Sequence, residues 1–335
     1  MRLAVQTRPK WRRVRRKMEL SIIIVNWNSA CHVRNCLRSI LAHTRDLDYE
    51  IIVIDAGSFD GCGEMLGREF PQARFIQNQS NCGFVRANNI AYSASRGESI
   101  LFLNPDTELL GPAVNLLHEQ IQALPTAGAL GCKLLNSDRT VQISCVQSFP
   151  TILNQFLDSE FLRARWPKSV LWGTAPLFSQ AEGPKEVETI SGACMMLKRE
   201  TFEKVGMFSQ DYYMYAEDVD LCHKLRQAGY TNYYLPTATI VHHGGSSSQS
   251  APGNFSVVMM RESIWRFFCK TRGKVYGCGF RCAMLAAAFM RLLLLGLLFP
   301  VRTAMRRGTG GVASLRKWWF VLRWSLWRET WVKDF

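Results

Sequence analysis

LSIIIVNWN, residues 20–28, is a run of apolar, mostly β-branched side chains, broken only by Ser21, that ends in a polar cluster. A strand with one wet face alternates apolar and polar residues, so a run without alternation predicts a strand covered on both faces. The pattern recurs twice. YEIIVIDAGSFD, residues 49–60, turns polar at Asp55, and SILFLNPD, residues 99–106, turns polar at Asn104. Around these runs the apolar spacing becomes helical, over about 33–43, 60–68, 84–95 and 112–124, with a shorter strand over 74–77. This βαβα rhythm predicts an α/β fold, a mostly parallel sheet with helices on both faces. Ligands of such sheets bind beyond the carboxyl ends of the strands. Residues 26–28, 55–60 and 104–106 all fall there.

Further along, Pro150, Pro167, Pro176 and Pro184 and several aromatic residues make 125–190 read as loops around a cleft. A strand is expected over 190–197, a short helix over 199–205, and a helix over 215–228 stopped by Gly229. A last short strand is expected over 239–242. Gly244-Gly245-Ser246-Ser247-Ser248 then reads as a flexible loop. The catalytic domain is expected to span residues 18–260.

The net charge of +14 is unevenly spread. Residues 1–17 carry eight Lys or Arg and no acid, and residues 261–335 carry fifteen basic and three acidic residues, which leaves 18 basic and 24 acidic residues in 18–260. An enzyme of nucleic acids places positive charge around its cleft; here the core is acidic and no nucleic acid is expected. Basic ends rich in Trp and Leu suit an anionic membrane surface. Residues 283–299 are apolar, but Arg291 sits among them and Pro300 closes them. A spanning helix needs about 20 apolar residues and a central Arg is costly. An interfacial or shallowly inserted helix is therefore expected ahead of a true span or a buried core helix. Residues 317–331 interleave Trp318, Trp319, Trp324, Trp327 and Trp331 with basic residues, a mixture that favours the headgroup level; the alternative is a helix packed on the core. The tail 261–335 thus reads as membrane-associated, and 1–17 as a disordered basic arm or as sequence ahead of a start at Met18. Eleven scattered cysteines with no C-x-x-C pair offer no structural zinc site. They imply a reducing compartment, the cytosolic side of a membrane.

Four clusters can carry chemistry. Asp106, beyond a buried strand, suits a divalent cation on a diphosphate, which needs only one or two protein carboxylates; the bland alternative is a turn former. Glu217, Asp218 and Asp220 open a helix, where acids also complement the helix dipole. They follow Tyr212-Tyr213-Met214-Tyr215, a stretch suited to walling a sugar-sized pocket, and one carboxylate there can act as general base. Of His242 and His243, neighbours on a strand, one faces the site and the other points away; imidazole is the commonest metal ligand. NCGFVRANN, residues 81–89, sets a helix N-terminus at Gly83 and Arg86 for an anion.

In this order, SIIIVNWNS, IIVIDAGSFDGC, NCGFVRANNIAY, ILFLNPDTEL, ISGACMMLKRETFEKVGMF, YMYAEDVDLCHKLRQAGY and IVHHGGSS resemble the inverting glycosyltransferases of family 2, with the GT-A fold, over about residues 19–245. The resemblance is closest to the bacterial rhamnosyltransferase-like branch of surface-polysaccharide assembly. It implies that Asn26 and Asp55 lie against the donor's base and ribose, and that Arg86 and Asn89 lie near the donor. Asp106 matches the last acid of the family's D-x-D metal motif, whose first acid is here Asn104. The resemblance implies Asp218 as catalytic base with Glu217 and Tyr215 beside the acceptor, and Gly192 and Ala193 beneath the transferred sugar. Mg2+ or Mn2+ would be held by Asp106 with His242 or His243. Ala56 departs from the family's D-N-x-S-x-D segment, while Ser58 and Asp60 match it. The implied partners are a dTDP-, UDP- or GDP-sugar, with dTDP-rhamnose expected within the branch, and a lipid-linked or polysaccharide acceptor. The implied place is the cytoplasmic face of the inner membrane, as a peripheral or monotopic protein. Two rival activities lack their sequence features. A nucleotidyltransferase needs a Gly-rich basic triphosphate loop, and a processive synthase needs several clear spanning helices. A binding protein with an inactive core is the alternative of a different class.

Overall fold

The computed structural model describes residues 18–159, 162, 165, 166, 169, 183–244, 254–304 and 309–335. The basic arm expected over 1–17 and Gly245–Ser248 of the expected loop lie outside them. The three apolar runs form β1 (Leu20–Asn26), β2 (Tyr49–Asp55) and β4 (Ser99–Leu103), and β3 (Arg74–Gln77) joins them. Helices α1 (Ala30–His43), α2 (Cys62–Glu69) and α3 (Gly83–Ser93) make the connections. β1 and β4 are buried throughout, as their lack of alternation requires. The strands β3, β2, β1 and β4 run parallel in that order, with Asn26 opposite Asp55 and Ile24 opposite Leu103. The polar clusters therefore meet at one sheet edge.

The second half of the sheet is mixed rather than parallel. After β5 (Thr107–Leu109) and α4 (Ala113–Ala123) come β6 (Ala127–Leu135), β7 (Val146–Gln147), α5 (Ile152–Leu157), β8 (Lys185–Val187), β9 (Thr189–Ile190) and β10 (Cys194–Lys198). Then follow α6 (Arg199–Lys204), α7 (Glu217–Gln227) and β11 (Thr231–His242). β10 enters antiparallel between β4 and β6, β11 runs parallel to β6, and β5 and β8 pair antiparallel with β11. Two stretches differ from the sequence expectation. β6 is a buried nine-residue strand inside the region read as loops. Its glycines weaken the strand signal, yet they are there for space: a Cβ on Gly131 would stand 3.0 Å from the Ile190 Cβ. β11 begins eight residues before the four expected, because Asn232 and Pro236 interrupt its apolar pattern. Its pairing with β6 breaks register between Leu235 and Thr239, around that proline, where a strand tolerates one.

Three helices follow, α8 (Phe255–Arg272), α9 (Lys274–Ala304) and α10 (Thr309–Ser325), then a 3-10 turn over Thr330–Asp334. α9 includes Pro300, where the sequence predicts its end. Phe268, Phe280, Met284, Val321 and Trp324 are buried among these helices. The Arg281 guanidinium lies over the rings of Trp327 and Trp324 at 3.4 and 4.2 Å. Four of the five tryptophans divide, and Trp331 is intermediate. Trp324 and Trp318 are buried, so the core-packing alternative describes them, while Trp319 and Trp327 are half exposed. α8 ties the tail to the sheet domain. Ser263 Oγ donates to the Met214 carbonyl at 2.8 Å, and Lys270 Nζ reaches Asp211 at 2.9 Å and Asp220 at 3.1 Å.

Candidate active site

A cavity of about 740 Å3 opens at the carboxyl ends of the strands. Val25, Trp27, Ala56, Asn81 and Gly83 line one end, and Asn104, Asp106 and His242 the other. Its outer wall is aromatic: Tyr213, Phe255, Trp331 and Phe335, with Phe335 4.3 Å from the Tyr213 ring. Gly83 is required where α3 begins. Its φ is +80°, and a Cβ would stand 2.6 Å from the Tyr213 ring, a conformation and an approach only glycine accepts.

Asn26 and Asp55 lie beneath this cavity rather than on its surface. Asn26 is fully buried, and its Nδ2 donates to Asp55 at 2.6 Å and to Asp60 at 3.0 Å. Asp55 also accepts from the Gly57 and Ser58 amides, the Ser58 hydroxyl and Gln77. Burial pushes its carboxyl up, but the Ser58 donors, Asn26 and Gln77 together hold it below the usual aspartate range. Asp60 Oδ2 accepts from the Ala30 amide, anchoring the start of α1. Arg86 is exposed and does not line the cavity. Asn89 Nδ2 donates to the Phe208 carbonyl at 2.9 Å, tying α3 to the loop that carries Tyr213.

At the opposite end the structure separates the two histidines. His242 Nε2 lies 3.3 Å from Asp106 Oδ1 and 3.2 Å from Asn104 Nδ2. His243 turns to Glu108 at 3.1 Å and Ser137 at 2.8 Å, away from the cavity. His242 Nδ1 is 2.7 Å from Gln142 Oε1. An acceptor there takes the Nδ1 proton and turns Nε2 toward Asp106 and Asn104. Such an outer hydrogen bond is the one metal-ligating histidines make, and Asp106 and His242 are placed to share a cation. No group of three His, Cys, Asp or Glu able to hold a metal occurs among the described residues. A pair of protein ligands fits an ion held largely by a substrate diphosphate.

A second cavity, of about 430 Å3, adjoins at Tyr215, which lines both. Glu217 and Asp218 line it, with Ser191 and Gln147 from the sheet domain and Arg261 and Lys317 from the tail. Tyr215 and Ala216 both adopt left-handed backbone, φ 70° and 60°. That conformation is costly for residues with a Cβ, and it turns the chain abruptly into α7 so that its first carboxylates meet the cavity. Asp218 Oδ2 accepts from the Gly192 amide at 2.9 Å, and Oδ1 from the Val219 amide at 2.8 Å. Burial raises the Asp218 pKa, against these amides. Glu217 is buried with Oε2 unpartnered, and burial plus the Asp218 charge push its carboxyl up to about 8. Gly192 packs directly against Asp218, whose Cβ lies 3.4 Å from where a Cβ on Gly192 would stand. Ala193 is buried, and its carbonyl accepts from the Asn104 amide, joining the two cavities' floors.

The structure thus brings together Asn104, Asp106 and His242 at one cavity and Tyr215, Glu217 and Asp218 at the next. It leaves Arg86 and His243 apart and puts Asn26, Asp55 and Asn89 in supporting positions. Sequence reasoning missed Gln142, hidden in the stretch read as loops, and the contribution of Trp331 and Phe335, which only the folded tail brings round.

The sequence matches Glycosyl transferase family 2 over residues 21–206 and Glycosyl transferase family group 2 over residues 141–330. It is 28% identical over 247 residues to the N-acetylglucosaminyl-diphospho-decaprenol L-rhamnosyltransferase of Mycobacterium tuberculosis, covering 70% of this chain and 79% of that one. It is 26% identical over 243 residues to the rhamnosyltransferase WbbL of Escherichia coli K12, covering 68% and 85%. Among solved structures, a mannosyltransferase of Pyrobaculum calidifontis in complex with GDP-Man and Mn2+ superposes with a TM-score of 0.59 at 16% identity, over 94% of this chain and 88% of that chain. The fold is thus GT-A, and the chain belongs to the family 2 glycosyltransferases.

Proposed function

We propose that this glycosyltransferase moves a sugar, with rhamnose from dTDP-rhamnose as first candidate and UDP- and GDP-sugars as alternatives, onto a lipid-linked acceptor of cell-surface polysaccharide synthesis. The rhamnosyltransferase relatives support the sugar, and the diphospho-decaprenol of the mycobacterial relative's name supports the acceptor. One observation carries the reading: Asp218, in the first turn of α7, lines a cavity that meets the first cavity at Tyr215. The donor lies with its base over Val25, Trp27 and Ala56, above the Asn26–Asp55 network, and its diphosphate at Asn104 and Asp106. Asp106 and His242 would hold Mg2+ or Mn2+, which would supply positive charge to offset that of the leaving diphosphate.

Asp218 takes the proton of the acceptor hydroxyl. The freed oxygen pair forms the new bond to the anomeric carbon from the face opposite the diphosphate, and the old carbon–oxygen bond breaks with its pair leaving on the diphosphate. The configuration inverts without a covalent enzyme intermediate. The Gly192 and Val219 amides orient the carboxylate and burial keeps it basic, as a general base requires.

The tail supports action at a membrane. Lys274–Leu297 is long and apolar enough to cross one, yet its two arginines are engaged with protein. Arg281 stacks on tryptophans, and Arg291 donates to the Phe156 carbonyl at 2.9 Å and lies over Trp318. A helix with one side packed in this way lies along the surface, as a monotopic attachment on the cytoplasmic face. A donor panel with Mn2+ and a lipid-linked acceptor tests the reading. Nucleotide diphosphate release from one donor, lost with chelator and in Asp106→Ala, is expected. Equal release from all donors, or none, would count against it.

A further inference from the structure

We infer that Trp331 and Phe335, carried by the tail, are donor-binding residues that stack on the nucleobase of the nucleotide sugar, and that Arg266 positions them. This rests on the glycosyltransferase reading and adds to it the wall that holds the base. The first cavity has two unlike ends. Asn104, Asp106 and His242 make one end polar, while the other is uncharged and largely apolar, lined by Val25, Trp27, Ala56 and Gly83. Tyr213 packs against Gly83, so its ring stands at the apolar end. Phe335 joins it there, with ring centroids 4.3 Å apart, and Trp331 stands beside Phe335 at 6.1 Å. Glu329 and Asp334, next to these rings in the chain, also line the cavity. Carboxylates repel a diphosphate but not a neutral base, so this wall suits the base and leaves the phosphates to the Asp106 end. Every nucleobase has a flat π face, and aromatic side chains stack on it whichever base it is.

The wall is built in advance of any ligand. The Trp331 indole N–H donates to Glu329 at 2.8 Å, Glu329 accepts from Arg323 at 2.6 Å, and the Trp331 ring stacks on Phe255 at 5.6 Å and 24°. Arg266, on α8, donates to the carbonyls of Val332 at 3.0 Å and Phe335 at 3.3 Å. It also donates to the carbonyl of Asp211, two residues before Tyr213, at 2.8 Å. One rigid guanidinium fork therefore ties the 3-10 turn to the loop that carries the neighbouring ring. Phe335 is nonetheless 43% exposed. Its backbone is fixed while part of its ring surface stays in water, and a bound base would cover that surface. Rings fixed beforehand cost little ordering on binding.

The test titrates the full chain with dTDP, UDP and GDP in the presence of Mn2+ and reads Kd by calorimetry. For the nucleotide the wild type binds most tightly, Kd should rise about tenfold in Phe335→Leu and in Trp331→Leu. Leucine keeps apolar bulk and removes the flat π face, whereas Phe335→Tyr keeps the face and should keep wild-type affinity. Arg266→Met should weaken binding as the leucine variants do, and Arg266→Lys should recover part of the loss. Leucine variants that bind as tightly as the wild type would show that the rings only fill space, which overturns the proposal and leaves the glycosyltransferase reading intact. Equal losses in Phe335→Tyr and Phe335→Leu would overturn it too, because stacking would then not be what the position supplies. A wild type that binds none of the three nucleotides would sink both readings.

Discussion

Glu217 and Asp218 are adjacent, share a cavity, and are both raised by burial, but only Asp218 is held by two amides. The amides favour its ionised form, so Asp218 is the member suited to accept a proton and Glu217 the member that stays protonated near neutrality. Asp218→Asn keeps the shape and removes the base. Transfer should fall by about 10²–10⁴-fold with donor KM unchanged, and single-turnover measurements giving wild-type rates would remove Asp218 from that role. Because its pKa is raised, the acidic limb of the wild-type rate profile should lie above the ordinary aspartate range of about 4. Glu217 gives a stability prediction. Its folded pKa, about 8, exceeds its unfolded one, so the folded state binds the extra proton. Its contribution to stability is full below about pH 4 and is lost as pH rises toward 8. Glu217→Gln has no charge to bury. Its melting temperature should exceed the wild type's by about 2–5 °C at pH 9 and match it at pH 5; a gap of opposite sign would show that the carboxylate is better solvated than its burial implies.

Single elements place the proposed metal ligands. β11 delivers His242 to Asp106, and Gln142, between β6 and β7, fixes the imidazole. Gln142→Ala should raise the Mn2+ concentration for half-maximal activity about 10–100-fold. Titration with an unchanged midpoint would mean that His242 is not a ligand. Elements of this kind also mark how far the sequence could be read. β1, β2 and β4 announce themselves because doubly covered strands are written in near-continuous apolar runs, and the polar residues ending them fall together once the strands are parallel. β6 escapes because Gly128 and Gly131 serve close packing instead of strand propensity. With β6 unread, Gln142 and the antiparallel place of β10 were unreadable too. For the histidines, period-two alternation separates the pair but not which one faces Asp106, since the face depends on where β11 meets β5. Arg86 stands on the expected helix, but its turn of that helix faces outward, a choice local spacing leaves open.

At the scale of the whole molecule, the tail is part of the fold as well as the proposed membrane attachment. It buries Phe280, Met284 and Trp324 against α8, supplies Arg261 and Lys317 to one cavity and Trp331 and Phe335 to the other. Cutting it away would expose this core and open both cavities, so loss of membrane binding on deletion would be inseparable from unfolding. Point changes on the outward side of α9 separate the two. The inward stripe Phe280, Met284, Ala287 and Ala288 is buried, whereas Leu293, Leu294 and Leu297 are half exposed or more and touch no core. An apolar patch of this kind on a catalytic domain marks an interaction surface, and the arginines of the tail add attraction to anionic headgroups. Leu293→Asp with Leu297→Asp should leave the melting temperature within about 2 °C and the donor KM unchanged. The same variant should shift the protein from pelleted to free in sedimentation with anionic vesicles. If it still pellets and transfers to a vesicle-bound acceptor as the wild type does, the outward side of α9 is not the membrane contact, and the basic residues alone must carry the attachment.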